Sequence, residues 1–200
     1  MHNYSREEYN IVLLRERLGI PDDVQPDPID VLRRATYVGI IAGFCRVSDD
    51  ELGTNLARWD KASKQILFRE NHSPTEFAFT IFHELGHAVL NHGSRNRKVG
   101  GALQFGRYAE RDEEEADRFA RSFMAPIKLA IVDQNSTTDL LARFGLPESQ
   151  RGIRLEELKR IDRQQRGLTR QIPMVEPEVE EDTYELAMNA MRQNAINWNS

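Results

Sequence analysis

The chain has 200 residues, 40% of them hydrophobic and 30% charged, with a formal net charge of −5. That balance fits a globular protein of one compact domain with at most a small appendage, and the acidic excess argues against free-standing, non-specific nucleic-acid binding. No apolar run approaches the about 18 residues that a membrane helix needs. The N-terminal MHNYSREEYN has no apolar leader core, and the single cysteine, Cys45, excludes an intramolecular disulfide, so a reducing cytoplasm is the expected setting.

Ser5 and Glu8 form an S-x-x-E capping box. A helix runs from there to about Leu18, with Ile11, Leu14 and Leu18 on one side and Gly19 and Pro21 as its stop. Asp27 and Pro28 suit the N-cap and first turn of a second helix, with Ile29, Leu32 and Ala35 inside. YVGIIAGF (37–44) reads as a buried strand, SDDE (48–51) as an acidic loop, and GTNLARW (53–59) and KQILFRE (64–70) as two strands joined by a turn at 60–63. A strand at the sheet edge would be able to hold an extended substrate by backbone pairing. Cys45, at the end of an apolar stretch, is expected in the core.

Ser73, Pro74 and Glu76 open a third helix. It carries FAFTIFHELGHAVLNH (77–92) and ends between Asn91 and Gly93. Residues four apart on a helix share a face. His83 and His87 of the H-E-x-x-H pattern can therefore aim both imidazoles at one metal ion. Glu84, about 100° round the axis, can act on a water there as general base without ligating. The plain alternative is a helix with two surface histidines. Against it, Phe77, Ile81, Leu85 and Ala88 make one apolar stripe, which marks a packed helix. Gly86 also costs about 1 kcal/mol against alanine in a helix interior, and suits a place where another backbone or a substrate comes close.

Residues 93–107, GSRNRKVGGALQFGR, are rich in glycine and basic side chains. They form a surface loop or a flap facing an acidic partner. A helix follows from about Tyr108 to Met124, with Ala116, Phe119, Ala120 and Phe123 as its buried stripe. A catalytic zinc needs three protein ligands and an open position. His92, five residues beyond His87, falls on a different helix face, and Cys45 is far away in sequence. Glu113, which opens the E-x-x-A-D run ending at Asp117, is the preferred third ligand, because thermolysin-type zinc peptidases draw theirs from a glutamate on a second helix. Glu110 and Glu114 remain alternatives. Asp117 can hydrogen-bond a ligand histidine and fix its tautomer.

Pro126 ends this helix and starts the next, 126–134. Ser136 with Asp139 opens a short helix that Gly145 terminates, and LPESQRGIRLEELKRI continues as a longer one with Leu155, Leu158 and Ile161 inside and Gly167 as its stop. Short helix, glycine turn and longer helix form the outline of a helix-turn-helix, an outline that packing alone can also produce. From Met174 the last 27 residues hold six acidic residues and Arg192 as the lone base. Within them, 182–195 can form a docking helix or stay disordered.

FAFTIFHELGHAVLNH taken with EEEADRFARSFMAP resembles the ImmA/IrrE family of metallopeptidases, and the resemblance covers about residues 5–162. Asp117 stands where asparagine is common in the family, and SFMAP replaces LLMP. The resemblance implies an α+β fold: a zincin-like metallopeptidase domain over 1–125, with a small three-stranded sheet packed on the HExxH helix and a glutamate-bearing helix, then a helical helix-turn-helix-like subdomain over 126–167 and an acidic tail over 168–200. It implies a cytoplasmic endopeptidase using one zinc, with manganese or cobalt also fitting the ligands. The implied substrate is a helix-turn-helix (XRE-type) repressor, whose cleavage relieves repression of stress, phage or mobile-element genes. In such a reaction Tyr108 and His92 are candidates for oxyanion or substrate contacts. Two rival readings stay open. One is a non-enzymatic regulator whose 136–162 helices bind DNA through Arg143, Arg151, Arg154, Lys159 and Arg160. The other is the toxin of a toxin-antitoxin pair, which shares the chemistry.

Overall fold

The structure is a computed structural model of the chain and describes residues 6–69, 73–93, 106–127 and 141–165. Its elements are α1 (Arg6–Arg17), α2 (Pro28–Tyr37), β1 (Gly43–Arg46), α3 (Asp49–Leu52), β2 (Ala57–Asp60), β3 (Gln65–Phe68), α4 (Pro74–Val89), α5 (Gly106–Met124) and α6 (Glu148–Gln165). They fall into two compact units. One takes α1, the end of α5 from Arg121, and α6; the other takes Asp27–Ala120. In this grouping α1 falls in the same unit as α6. The acidic tail and most of the helix expected at 126–134 lie outside the described residues.

In the first unit α1 and α6 are tied by a buried ion pair. Ile11 and Leu14 of α1, Leu18 just after it, and Leu158 and Ile161 of α6 are buried. Arg154 is buried with them. Its Nη1 donates to Glu8 Oε1 at 2.6 Å and to Ser122 Oγ at 2.9 Å, and its Nη2 donates to Ala125 O at 2.9 Å. Arg15, also buried, donates to Phe123 O and, at 3.0 Å, to Val24 O. The two guanidinium groups thus satisfy carbonyls at the C-terminus of α5, where a helix leaves acceptors unpaired and favours positive charge.

In the second unit α2 starts as expected: Asp27 Oδ1 accepts from the Asp30 N–H at 2.7 Å. Val31, Leu32 and Ala35 are its buried face. The stretch 37–44 is not a strand. The helix continues through Tyr37 and is closed by Gly39 at φ 76°, with Gly39 N–H on Thr36 O and Ile40 N–H on Ala35 O. That paired closure needs a left-handed residue, which glycine supplies without a Cβ clash. The strand begins only at Gly43. SDDE likewise contributes to a one-turn helix, α3, rather than a loop.

The sheet order is β1-β3-β2, with β1 parallel and β2 antiparallel to β3. Phe44, Ile66 and Trp59 stand abreast on one face, and Cys45, Leu67 and Arg58 on the other. Ile66 and Trp59 are buried, whereas Cys45 is exposed, so the expected core role of Cys45 is corrected by strand alternation. Helix α4 packs on β2 and β3. Phe68 meets Phe77 edge-on, with ring centroids 5.6 Å apart. Ala78, Ile81, Phe82, Leu85 and Val89 of α4 are buried, as are Ala116, Phe119 and Ala120 of α5. The two helices touch at Gly86, where an added Cβ would stand 3.2 Å from Ala116 Cα and 3.0 Å from Phe119 Cδ1.

Candidate metal centre

His83 and His87 sit one turn apart on α4, with Nε2 atoms 3.0 Å from each other and ring planes at 82°. Glu113 of α5 places Oε2 3.3 Å from His83 Nε2 and Oε1 3.8 Å from His87 Nε2. One ligand atom from each of the three lies within 4.8 Å of the others, and among the described residues this is the cluster able to hold a metal. Of the alternatives, Glu114 pairs with Arg118 at 3.3 Å and Glu110 is exposed.

Asp117, one turn beyond Glu113, places Oδ1 2.7 Å from His83 Nδ1. The carboxylate can only accept, so Nδ1 carries the proton and the His83 Nε2 keeps its lone pair. Imidazole nitrogens and a carboxylate converging on one point form a set of acceptors that a divalent cation satisfies. In its absence a proton does so. Burial opposes charge on His83, but Asp117 and Glu113, with the charge of Glu84, outweigh it and raise its pKa to about 10. His87 is pushed down to about 4, first by burial and then by the His83 charge. The donor set therefore fits a metal.

Glu84 lies next to this set, and its charge acts on His83. Its Oε2 accepts the Trp59 N–H at 2.6 Å. Burial raises its pKa, against the lowering pull of the His83 charge and the Trp59 N–H.

His92 stands on the Nδ1 side of His87, outside the cluster of ligand atoms. It is buried behind His87, with the two Nδ1 atoms 2.9 Å apart. Its Nε2 is 3.3 Å from Glu115 Oε2, and Arg111 Nε donates to Glu115 Oε1 at 2.7 Å. The cause is the end of α4. Asn91 adopts φ 57°, and the His92 N–H turns back onto His87 O at 2.9 Å. Asparagine tolerates this left-handed conformation. The side chain of Tyr108, on the first turn of α5, lies outside the described residues. Three contributors were missed in the sequence. Glu115 and Arg111 are hidden in a charge-rich helix face, and Trp59 acts through its backbone, which leaves no mark in the sequence.

A peptidase family model, M78, described as an IrrE N-terminal-like domain, matches residues 45–156, more than half of the chain. The match spans the end of β1, strands β2 and β3, α4 and its histidines, and α5 with Glu113 and Asp117. No curated protein and no solved structure gives a match. The family match and the His83–His87–Glu113 cluster agree with the resemblance seen in the sequence, and the chain belongs to the ImmA/IrrE family of metallopeptidases.

Proposed function

We propose that this peptidase is a zinc-dependent endopeptidase that cleaves a helix-turn-helix transcriptional repressor at one site, relieving repression of stress-response or mobile-element genes. The observation that carries the reaction class is the convergence of His83, His87 and Glu113 beside a half-buried Glu84. A divalent metal held by those three side chains, zinc or manganese, would polarise the scissile carbonyl and lower the pKa of an attacking water from about 15.7 towards about 7. Glu84 takes the proton of that water and returns it to the leaving amine. Its raised pKa makes it a better base than an exposed carboxylate, and the Trp59 N–H holds it in place. Strand β2 is an edge strand beside the base, and an extended substrate segment would pair along the backbone groups of that edge other than the Trp59 N–H, which Glu84 takes. The choice of a repressor as substrate rests on the resemblance to the family. The DNA-binding alternative has less support: Arg154 is buried on Glu8, and Arg151 Nε donates to Leu146 O at 2.9 Å.

The test is co-incubation with the helix-turn-helix repressor encoded nearest the gene, with zinc or manganese added and products read by intact mass. Two fragments from the wild type and none from Glu84→Gln are expected. An intact repressor under all conditions would overturn the substrate assignment.

A further inference from the structure

His92 is a buried histidine for which the proposed reaction has no direct use. It lies in a chain of polar contacts that ends on a metal-ligand candidate. Arg111 Nε donates to Glu115 Oε1 at 2.7 Å, Glu115 Oε2 is 3.3 Å from His92 Nε2, and His92 Nδ1 is 2.9 Å from His87 Nδ1. The chain has a direction. An ionised carboxylate only accepts, and the Arg111 guanidinium, 2.7 Å from Glu115 Oε1, pairs with Glu115 as the carboxylate. His92 therefore gives its Nε2–H to Glu115, which leaves its Nδ1 as an acceptor. The only hydrogen bond that an accepting His92 Nδ1 can form with His87 Nδ1 is one in which His87 donates. The proton of His87 then sits on Nδ1, and its Nε2 presents a free lone pair towards His83 and Glu113.

We infer that His92 is a positioning residue: it fixes the ring orientation and tautomer of His87, as Asp117 does for His83, and so sets the affinity of the site for its metal. The inference rests on the reading of His83, His87 and Glu113 as ligands. The division of labour is unequal in chemistry. One histidine is held by a carboxylate directly, the other by an imidazole that a carboxylate and a guanidinium hold in turn. Both sets of supports, except His92 itself, come from one helix, α5.

The test uses the full chain with zinc alone as probe, in competition with a chromophoric chelator. Thermal melts of the metal-free proteins run alongside. His92→Leu removes the acceptor, and His92→Asn restores an acceptor oxygen at the position of Nδ1. The expected result is a 10- to 100-fold weaker zinc affinity for His92→Leu, the range lost when a group supporting a ligand is removed, with an affinity close to wild type for His92→Asn. Equal affinity of His92→Leu and wild type would overturn the inference, as would equal losses in both variants. If His92→Leu does not fold, nitrogen-15 imidazole spectra of the wild type decide: a proton on His92 Nε2 and on His87 Nδ1 supports the inference, and a proton on His92 Nδ1 overturns it. A wild type that takes up no zinc would overturn the metal-site reading and this inference together. A wild type that binds while His92→Leu binds equally well removes this inference alone.

Discussion

Gly86 of α4 and Ala116 of α5 set the spacing between the two helices that build the metal centre, since a Cβ on the glycine would stand 3.2 Å from Ala116 Cα. The neighbour is backbone, so it cannot swing aside as the tip of a long side chain can. Gly86→Ala is expected to destabilise the protein by about 1–3 kcal/mol through overpacking, despite the better helix propensity of alanine. Because Glu113 travels with α5, zinc affinity should fall as well. Chemical denaturation and chelator competition check both, and a variant like wild type in each would contradict the close approach.

Glu84→Gln should bind zinc like the wild type, because Glu84 accepts from the Trp59 N–H and is not one of the ligands in the cluster. Glutamine keeps an acceptor for that N–H but cannot take a proton. Cleavage should fall by at least about 10²- to 10⁴-fold, the usual contribution of a general base. A time course by intact mass, beside a zinc titration of the same sample, separates loss of the base from loss of the metal.

Zinc affinity should rise with pH across the neutral range. Without metal His83 stays protonated up to about 10, while His87 is already neutral above about 4. Between those values one proton must leave for the metal to bind, so low pH favours the metal-free form. The apparent dissociation constant should drop about tenfold per pH unit between about pH 6 and pH 8. Calorimetry in buffers of different ionisation enthalpy should count about one proton released per zinc, and a pH-independent affinity would contradict the His83 assignment.

Arg154→Ala should cost about 3–5 kcal/mol, because it leaves Glu8 without its buried partner. Urea denaturation of the metal-free protein measures it. A loss below about 1 kcal/mol, the scale of an exposed ion pair, would mean that the cluster is hydrated in solution.

The centre was legible in the sequence because its geometry is helical. Spacings of four residues, His83 to His87 and Glu113 to Asp117, each translate into one face of one helix, and the apolar stripes of α4 and α5 tell which face is inside. Gly86 was legible as a close approach for the same reason. What escaped depends on chain reversal or on burial of charge. The apolar run at 37–44 carries no periodicity that distinguishes a strand from a helix end, and Gly39 decided it. Arg154 looked like a surface cation until Glu8, 146 residues away, met it in the interior. His92 looked misplaced because a straight helix was extended through Asn91.

That turn at Asn91 has a consequence for recognising relatives of this centre. A histidine five places after the second histidine of H-E-x-x-H is useful to the metal only if the residue before it accepts a left-handed backbone. Positions 91 and 92 should therefore vary together among homologues, with asparagine or glycine retained wherever the histidine is. The pattern worth searching for is H-E-x-x-H-x-x-x-[NG]-H, which gives a helix-capping residue the status of a diagnostic one.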